Sequence, residues 1–300
     1  VDILGLGYLG LESSNAKAWI DYGPEVLGFS LNESRNNENV YLRMDDRHHR
    51  IVVREGPNEG VQYIGWEARH RIAFEEAIAK LRAKGVEVTM GDDALAAERA
   101  VLEVAQFADP AGFQHELFYG QYFDPGSFMP GRPHSGFVAE EKGLGHVVLL
   151  VPELTKELDS FYRDVLEFRW FGHGVSKGIG YFYRTKLSNS SHNIALIGVP
   201  GMRGLHHIGI EVKELDDVGI AYDRSIERDI PIHMTMGRHT QDPVVSFYGF
   251  TATGGLLEYI WGAPEMPEET FYERAAEKLS VWGHKLVVDG LPNTVGPVGA

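Results

Sequence analysis

The chain contains no cysteine, so histidine and the carboxylates are the side chains left to hold a metal ion or move protons. Three of them fall at related places in a doubled sequence. His146 closes the run GLGH, His207 lies in GLHHIGIE and Glu258 in FTATGGLLEYIWG. Earlier in the chain the corresponding runs are GLGY, GVQYIGWE and ADPAGFQHELFYG, which put Tyr8, Tyr63 and Glu116 at the matching positions. The three pairs are offset by 138, 144 and 142 residues and keep their order. The chain therefore reads as a tandem duplication of a unit about 140 residues long. Only the later copy carries two imidazoles and a carboxylate. That donor set can grip an ion on one face and leave the opposite positions free for substrate and dioxygen, as in non-haem Fe(II) oxygenases; Zn²⁺ or Mn²⁺ can use the same donors.

Positioning such a set is the task of strands. The three residues lie in short runs rich in Val, Ile, Leu and aromatics, which read as strands. Side chains alternate between the faces of a strand, so only one of His206 and His207 can face the site. The match to Tyr63 selects His207, with His206 turned away. The ligands are 61 and 51 residues apart, so the site exists only if the unit closes on itself. His192 precedes a strand that would flank it, and the stretch 237–250 offers His239, Gln241, Asp242 and Tyr248. By residue type His192 and Tyr248 suit a base and a hydroxyl donor. His48 and His49 occupy roughly the first-half counterpart of His192 and read as structural.

The remaining pattern supplies the frame. Helical stretches are expected at 15–26, 70–84, 153–166 and 214–229, with Asn15 and Pro152-Glu153 as starts. Apolar residues at 74, 77, 78 and 81 give the second one a buried face. Each half then reads as βαβββ twice, an α+β architecture. The segment 121–142, rich in Pro and Gly, reads as a linker. The expected domains are 1–134, without a metal site, and 135–300, with one. In the tail, 268–279 reads as a helical piece.

Composition narrows the function classes. With 300 residues, 43% hydrophobic and 24% charged, the chain is globular in character. It has 43 acidic against 28 basic residues and a net charge of −15, which disfavours nucleic acid and anionic membrane surfaces as partners. No apolar run approaches the roughly 20 residues of a membrane span, and the first residues lack a basic, cleavable leader pattern. These features fit a cytoplasmic location.

Taken in order, the motifs YLRMDDRHHRIVV, GLGHVVL, FYRDVLEFR, LHHIGIEVKELDDVG, GRHTQD…SFYGFTATGGLLEYIWG and VWGHK resemble the two-domain type I extradiol catechol dioxygenases of the vicinal oxygen chelate superfamily. The resemblance is greatest to those acting on 2,3-dihydroxybiphenyl and 1,2-dihydroxynaphthalene, and it spans nearly the whole chain. It implies two tandem domains, each of two βαβββ modules forming a partly closed barrel. It also implies O₂-dependent cleavage of a bicyclic or aryl-substituted catechol beside its diol, in aromatic hydrocarbon degradation. Fe(II), or alternatively Mn(II), would be bound by His146, His207 and Glu258. His192 would be the acid/base, His239 and Tyr248 would hydrogen-bond substrate or oxygen, and Val148, Gln241 and Asp242 would belong to the substrate pocket. An aromatic diol and O₂ would be the partners, and the assembly a homo-oligomer. The sequence departs from the family at Gln241, usually Asn, and at TGG 253–255, usually PSG. Three other readings share the fold: a monocyclic alkyl-catechol 2,3-dioxygenase, a glyoxalase-like enzyme and a non-catalytic binding protein.

Overall fold

A parallel pair of strands needs a crossover, whereas antiparallel strands can follow one another through short turns. Every quarter of this chain uses both connections in the same way. The computed structural model describes residues 1–32, 39–173 and 180–298. In the first half the strands are β1 (Ile3–Ser13), β2 (Ser30–Asn32), β3 (Asn39–Arg43), β4 (Ile51–Glu55), β5 (Gly60–Ala68), β6 (Thr89–Met90), β7 (Glu103–Ala108) and β8 (Gln114–Tyr119). They form one sheet in the order β2-β3-β4-β1-β5-β8-β7-β6. The second half repeats it with β9 (His146–Val151), β10 (Arg169–His173), β11 (Gly180–Arg184), β12 (Ile194–Gly198), β13 (Met202–Val212), β14 (Ile232–His239), β15 (Val245–Phe250) and β16 (Leu256–Trp261). In each βαβββ unit the first strand pairs parallel with the fourth, as β9 does with β12 and β13 with β16. The two units of a half meet where their first strands run antiparallel, β1 on β5 and β9 on β13.

The helices cover the outer faces. Arg71–Ala83 buries Ala73, Phe74, Ala77, Ile78 and Leu81, the stripe its spacing predicts. His70 caps it by accepting from the amide of Ala73 at 3.1 Å, satisfying one of the amides that a helix start leaves unpaired. The helix expected from Pro152-Glu153 begins later: Thr155 is its N-cap, its hydroxyl accepting from the amide of Leu158. It ends in a π-helical turn, Phe161–Val165, as the first helix ends in Gly23–Leu27. The tail is corrected more strongly. Residues 268–279 form only a single turn, Glu268–Thr270, followed by irregular chain and the two-residue strand Arg274–Ala275. The backbone then finds its partners in the sheet: β17 (Arg274–Ala275) and β18 (Ser280–Gly283) add to the two edges, on β10 and β14, and β19 (Val295–Pro297) pairs with one end of β13.

Residues 121–142, read as a linker, are tied down at several points. Arg132 reaches the buried Asp217 of the helix Leu215–Glu227 at 3.1 Å. Phe137 bridges to Val212, and Arg50 donates to the carbonyl of Ala139 at 3.2 Å. Direct bonds also join the halves: Tyr162 donates to Asp109 at 2.8 Å and Tyr259 to the carbonyl of Leu27 at 2.5 Å.

The matched residues of the two halves occupy matched positions in the ladders. In the second half one row runs across the sheet from His146 to Gly209 to Glu258 to Tyr248. In the first half the same row reads Tyr8, Gly65, Glu116 and Gln106. There the carboxylate is neutralised from within. Arg99 donates to both oxygens of Glu116 at 2.9 and 3.0 Å, Tyr8 donates at 2.7 Å and Gln106 at 3.0 Å. The guanidinium carbon lies 3.7 Å from the centroid of the Tyr63 ring. An internal cation thus takes the charge-balancing place against the first-half Glu.

Removing one partner of a buried ion pair strands the other charge and costs about 3–5 kcal/mol. Arg99→Met should therefore lower unfolding stability by about that amount, measured from denaturant midpoints. Adding Glu116→Gln should recover most of the loss.

Candidate active site

His146 starts β9, His207 lies in β13 and Glu258 in β16, three neighbouring strands at the centre of the second sheet. The strands carrying His146 and Glu258 are not adjacent; β13 lies between them, and Gly209 is the residue of β13 in register with both. A Cβ on Gly209 would meet the His146 ring at 2.0 Å. Only glycine lets the imidazole lie across the intervening strand toward the carboxylate. His207 shares the face of Gly209, two residues away.

The donor atoms converge. His146 Nε2 is 3.4 Å from His207 Nε2 and 3.2 Å from Glu258 Oε2, and His207 Nε2 is 3.6 Å from the same oxygen. Donors bound at about 2.1 Å on one face of an octahedral ion lie about 3 Å apart, so the three side chains fit one ion with little movement. Hydrogen bonds from His146, His207 and His239 hold the Glu258 carboxyl well below the usual carboxylate range, overcoming the opposing effect of burial. Burial lowers His207 to about 4, favouring the neutral form a ligand requires. His206 is not among the converging donors but lines the same cavity, and its Nδ1 lies 2.7 Å from His207 Nδ1. That bond leaves Nε2 of His207 to face the carboxylate.

The triad forms one wall of a cavity of about 280 Å³, on the scale of small-ligand pockets. Val148, Phe171, Phe182, Ile197, Val244 and Ile260 give it an apolar interior. His192 packs on His146 with ring centroids 4.2 Å apart and lies beside Phe171 and Phe182. Its Nδ1 is 3.1 Å from the Ser191 hydroxyl, which itself donates to Asp242. Burial first, and His146 second, push its pKa well below the ordinary histidine value. Its Nε2 makes no hydrogen bond among the described residues.

His239 and Tyr248 stand on the other side. The Tyr248 hydroxyl is 2.9 Å from His239 Nε2, and His239 Nδ1 is 3.0 Å from the carbonyl of Leu279, which it meets as a donor. His239 Nε2 is also 3.2 Å from Glu258 Oε1. Burial opposes the charge of His239, but the bond to Glu258 and its charge raise the pKa above the ordinary value. Burial and the nearby Glu258 raise Tyr248 well above a free phenol, so its proton stays on. Asp242 is buried and its pKa raised by that burial. Gln241 lines the cavity, but its side-chain amide donates to the carbonyl of Arg274 at 3.0 Å and so braces β17. His48 and His49 lie in the first half, with Nδ1 atoms 2.9 Å apart. Sequence reasoning missed Gly209, although its counterpart Gly65 stands in the matched run, where a Cβ would strike Tyr8. It also assigned no role to Ser191, Ser246 or His284, although the quoted runs SFYGF and VWGHK contain the last two.

The chain is similar to known proteins along nearly its whole length. Residues 6–56 match the family profile of dihydroxybiphenyl dioxygenase first domains. Residues 143–258 match that of the glyoxalase/bleomycin resistance protein/dioxygenase superfamily. The chain is 35% identical to biphenyl-2,3-diol 1,2-dioxygenase of Metapseudomonas furukawaii, over 96% of each chain. It is 31% identical to an iron-dependent extradiol dioxygenase of Rhodococcus jostii, over 97% of this chain and 100% of that one. The crystal structure of BphC, a halotolerant catechol dioxygenase, superposes with a TM-score of 0.92 at 36% identity, covering 98% of this chain and 99% of that one. With this identity spread over both halves, the chain belongs to the extradiol dioxygenases of the glyoxalase/bleomycin resistance protein/dioxygenase superfamily.

Proposed function

We propose that the protein cleaves the ring of a bicyclic or aryl-substituted catechol, such as 2,3-dihydroxybiphenyl or 1,2-dihydroxynaphthalene, beside its diol. The observation that carries this reading is the His146–His207–Glu258 set facing an apolar cavity rimmed by three proton-handling side chains. In it, the three side chains hold Fe(II); Mn(II) suits the same donors. Once bound, the ion would lower the cost of deprotonating the diol and provide a path for electrons between ring and dioxygen.

The protein's own residues manage protons and orientation. With Nδ1 engaged by Ser191, His192 offers Nε2 to the cavity as the atom that takes a diol proton and later returns it. Tyr248 keeps its proton and donates a hydrogen bond where oxygen charge develops, while His239 sets the direction of that hydroxyl. Val148, at 2% exposure, and Ile197 set the width available to the ring, and Phe171 and Phe182 keep water from His192. Asp242, through Ser191, orients His192; Gln241 shapes the mouth by fixing β17. A glyoxalase-like site drawing ligands from both halves is disfavoured, because Arg99 already balances Glu116.

The proposal extends to a homo-oligomer in the cytoplasm. The tail exposes Trp282, Leu286 and Val287, which offer apolar surface for contact between copies. None of the described helices is long and apolar enough to cross a membrane.

Protein loaded with Fe(II) should consume O₂ with 2,3-dihydroxybiphenyl or 1,2-dihydroxynaphthalene and form a coloured ring-fission product. Catechol and 3-methylcatechol should show lower kcat/KM; a reversed order sinks the bicyclic assignment, and full turnover with normal iron content in His146→Ala sinks the ligand assignment. His192→Gln should keep its iron yet turn over about 10²–10⁴-fold more slowly. Gly209→Ala should displace the His146 ring and lower kcat/KM on the order of 100-fold with little loss of fold. Iron analysis and circular dichroism would check that separation.

A further inference from the structure

The two oxygens of Glu258 have different neighbours. Oε2 faces His146 and His207. Oε1 accepts from the Ser246 hydroxyl at 2.7 Å and lies 3.2 Å from His239 Nε2. Ser246 is fully buried. Its Oγ is 3.2 Å from His284 Nε2, which is also 3.2 Å from the Ser246 carbonyl. His284 Nδ1 is in turn 2.6 Å from the Ser280 hydroxyl.

Hydrogen-bond chemistry gives this chain one direction. A carboxylate only accepts, so the Ser246 proton is committed to Glu258. Ser246 Oγ must then accept, which puts the His284 proton on Nε2. A neutral imidazole protonated at Nε2 has Nδ1 free to accept from Ser280. Burial, followed by the charge of His239, lowers His284 to about 4 and keeps it neutral. The ring is held in place by packing on His239, with centroids 4.2 Å apart, and by Gly237, where a Cβ would meet the His284 amide nitrogen at 2.4 Å.

Resting on the reading of the triad as a metal site, we propose that Ser280, His284 and Ser246 form a positioning chain that occupies Glu258 Oε1 and presents Oε2 alone to the ion. A carboxylate binding through both oxygens would take one more coordination position. The chain thereby keeps that position for the diol oxygens or dioxygen. None of the three residues touches substrate; they act through Glu258.

The test uses the full-length protein stripped of metal and titrated without oxygen. Fe(II) affinity is read by competition with a chromophoric chelator, and Co(II) absorption reads coordination number. Ser246→Ala and His284→Ala should weaken Fe(II) binding by about 10–100-fold, the usual effect of removing a group that holds a ligand. They should also change the Co(II) spectrum while leaving the thermal midpoint of the metal-free protein near that of the parent. His284→Gln, which can still donate an N–H to Ser246, should return the affinity to within a few-fold of the parent. Parental Fe(II) affinity and Co(II) spectrum in Ser246→Ala would overturn the proposal, as would His284→Gln binding no better than His284→Ala. Ser246→Ala removes one oxygen and decides the matter even if His284→Ala fails to fold. His146→Ala separates the two readings: if it too binds Fe(II) like the parent, the triad is at fault and not the chain.

Discussion

The site depends on one close approach, the His146 imidazole lying across β13 at Gly209 to reach Glu258 on β16. Strands in a sheet are held about 4.8 Å apart, so residues two strands away cannot meet unless the middle one yields its side-chain space. Gly209 yields it, and His207 then supplies the third donor from the same face of the same strand. The parallel pairing of β13 with β16 sets the height of Glu258, and the antiparallel pairing of β9 with β13 sets that of His146.

The first half shows what the same frame does without imidazoles. Its row keeps the glycine and the glutamate but replaces the histidines with Tyr8 and Tyr63. A buried carboxylate still needs a positive partner, and Arg99 provides it at the end of the helix Asp93–Arg99. Duplication therefore left two equivalent pockets of negative charge in one chain. One is settled by a covalently attached cation; in the proposed reading, the other is settled by a captured one.

Much of this was legible in the residues. The repeat gave the α+β frame, because a doubled order of apolar runs leaves few topologies. Comparing the halves pointed to His146, His207 and Glu258, since divergence at shared positions exposes residues that packing alone does not explain. Length and local propensity misled in the tail, where AAEKL favours a helix but open sheet edges offered better backbone partners. The contacts of Arg99, Ser246 and His284 were not legible for another reason. Their partners are 17, 12 and 38 residues away, and hydroxyl or guanidinium contacts impose no periodicity on a sequence.

The threading of the tail has a consequence for how the molecule is made. Strands β17, β18 and β19 lie far along the chain, yet they pair with β10, β14 and β13, and the stretch between the first two puts Ala276, Lys278 and Leu279 on the cavity wall. During synthesis the first half can settle with its own arginine already in place while the second is still emerging from the ribosome. The cavity gains its final wall only when Ala276, Lys278 and Leu279 of this last stretch arrive, so the site is completed by the final part of the chain to be made.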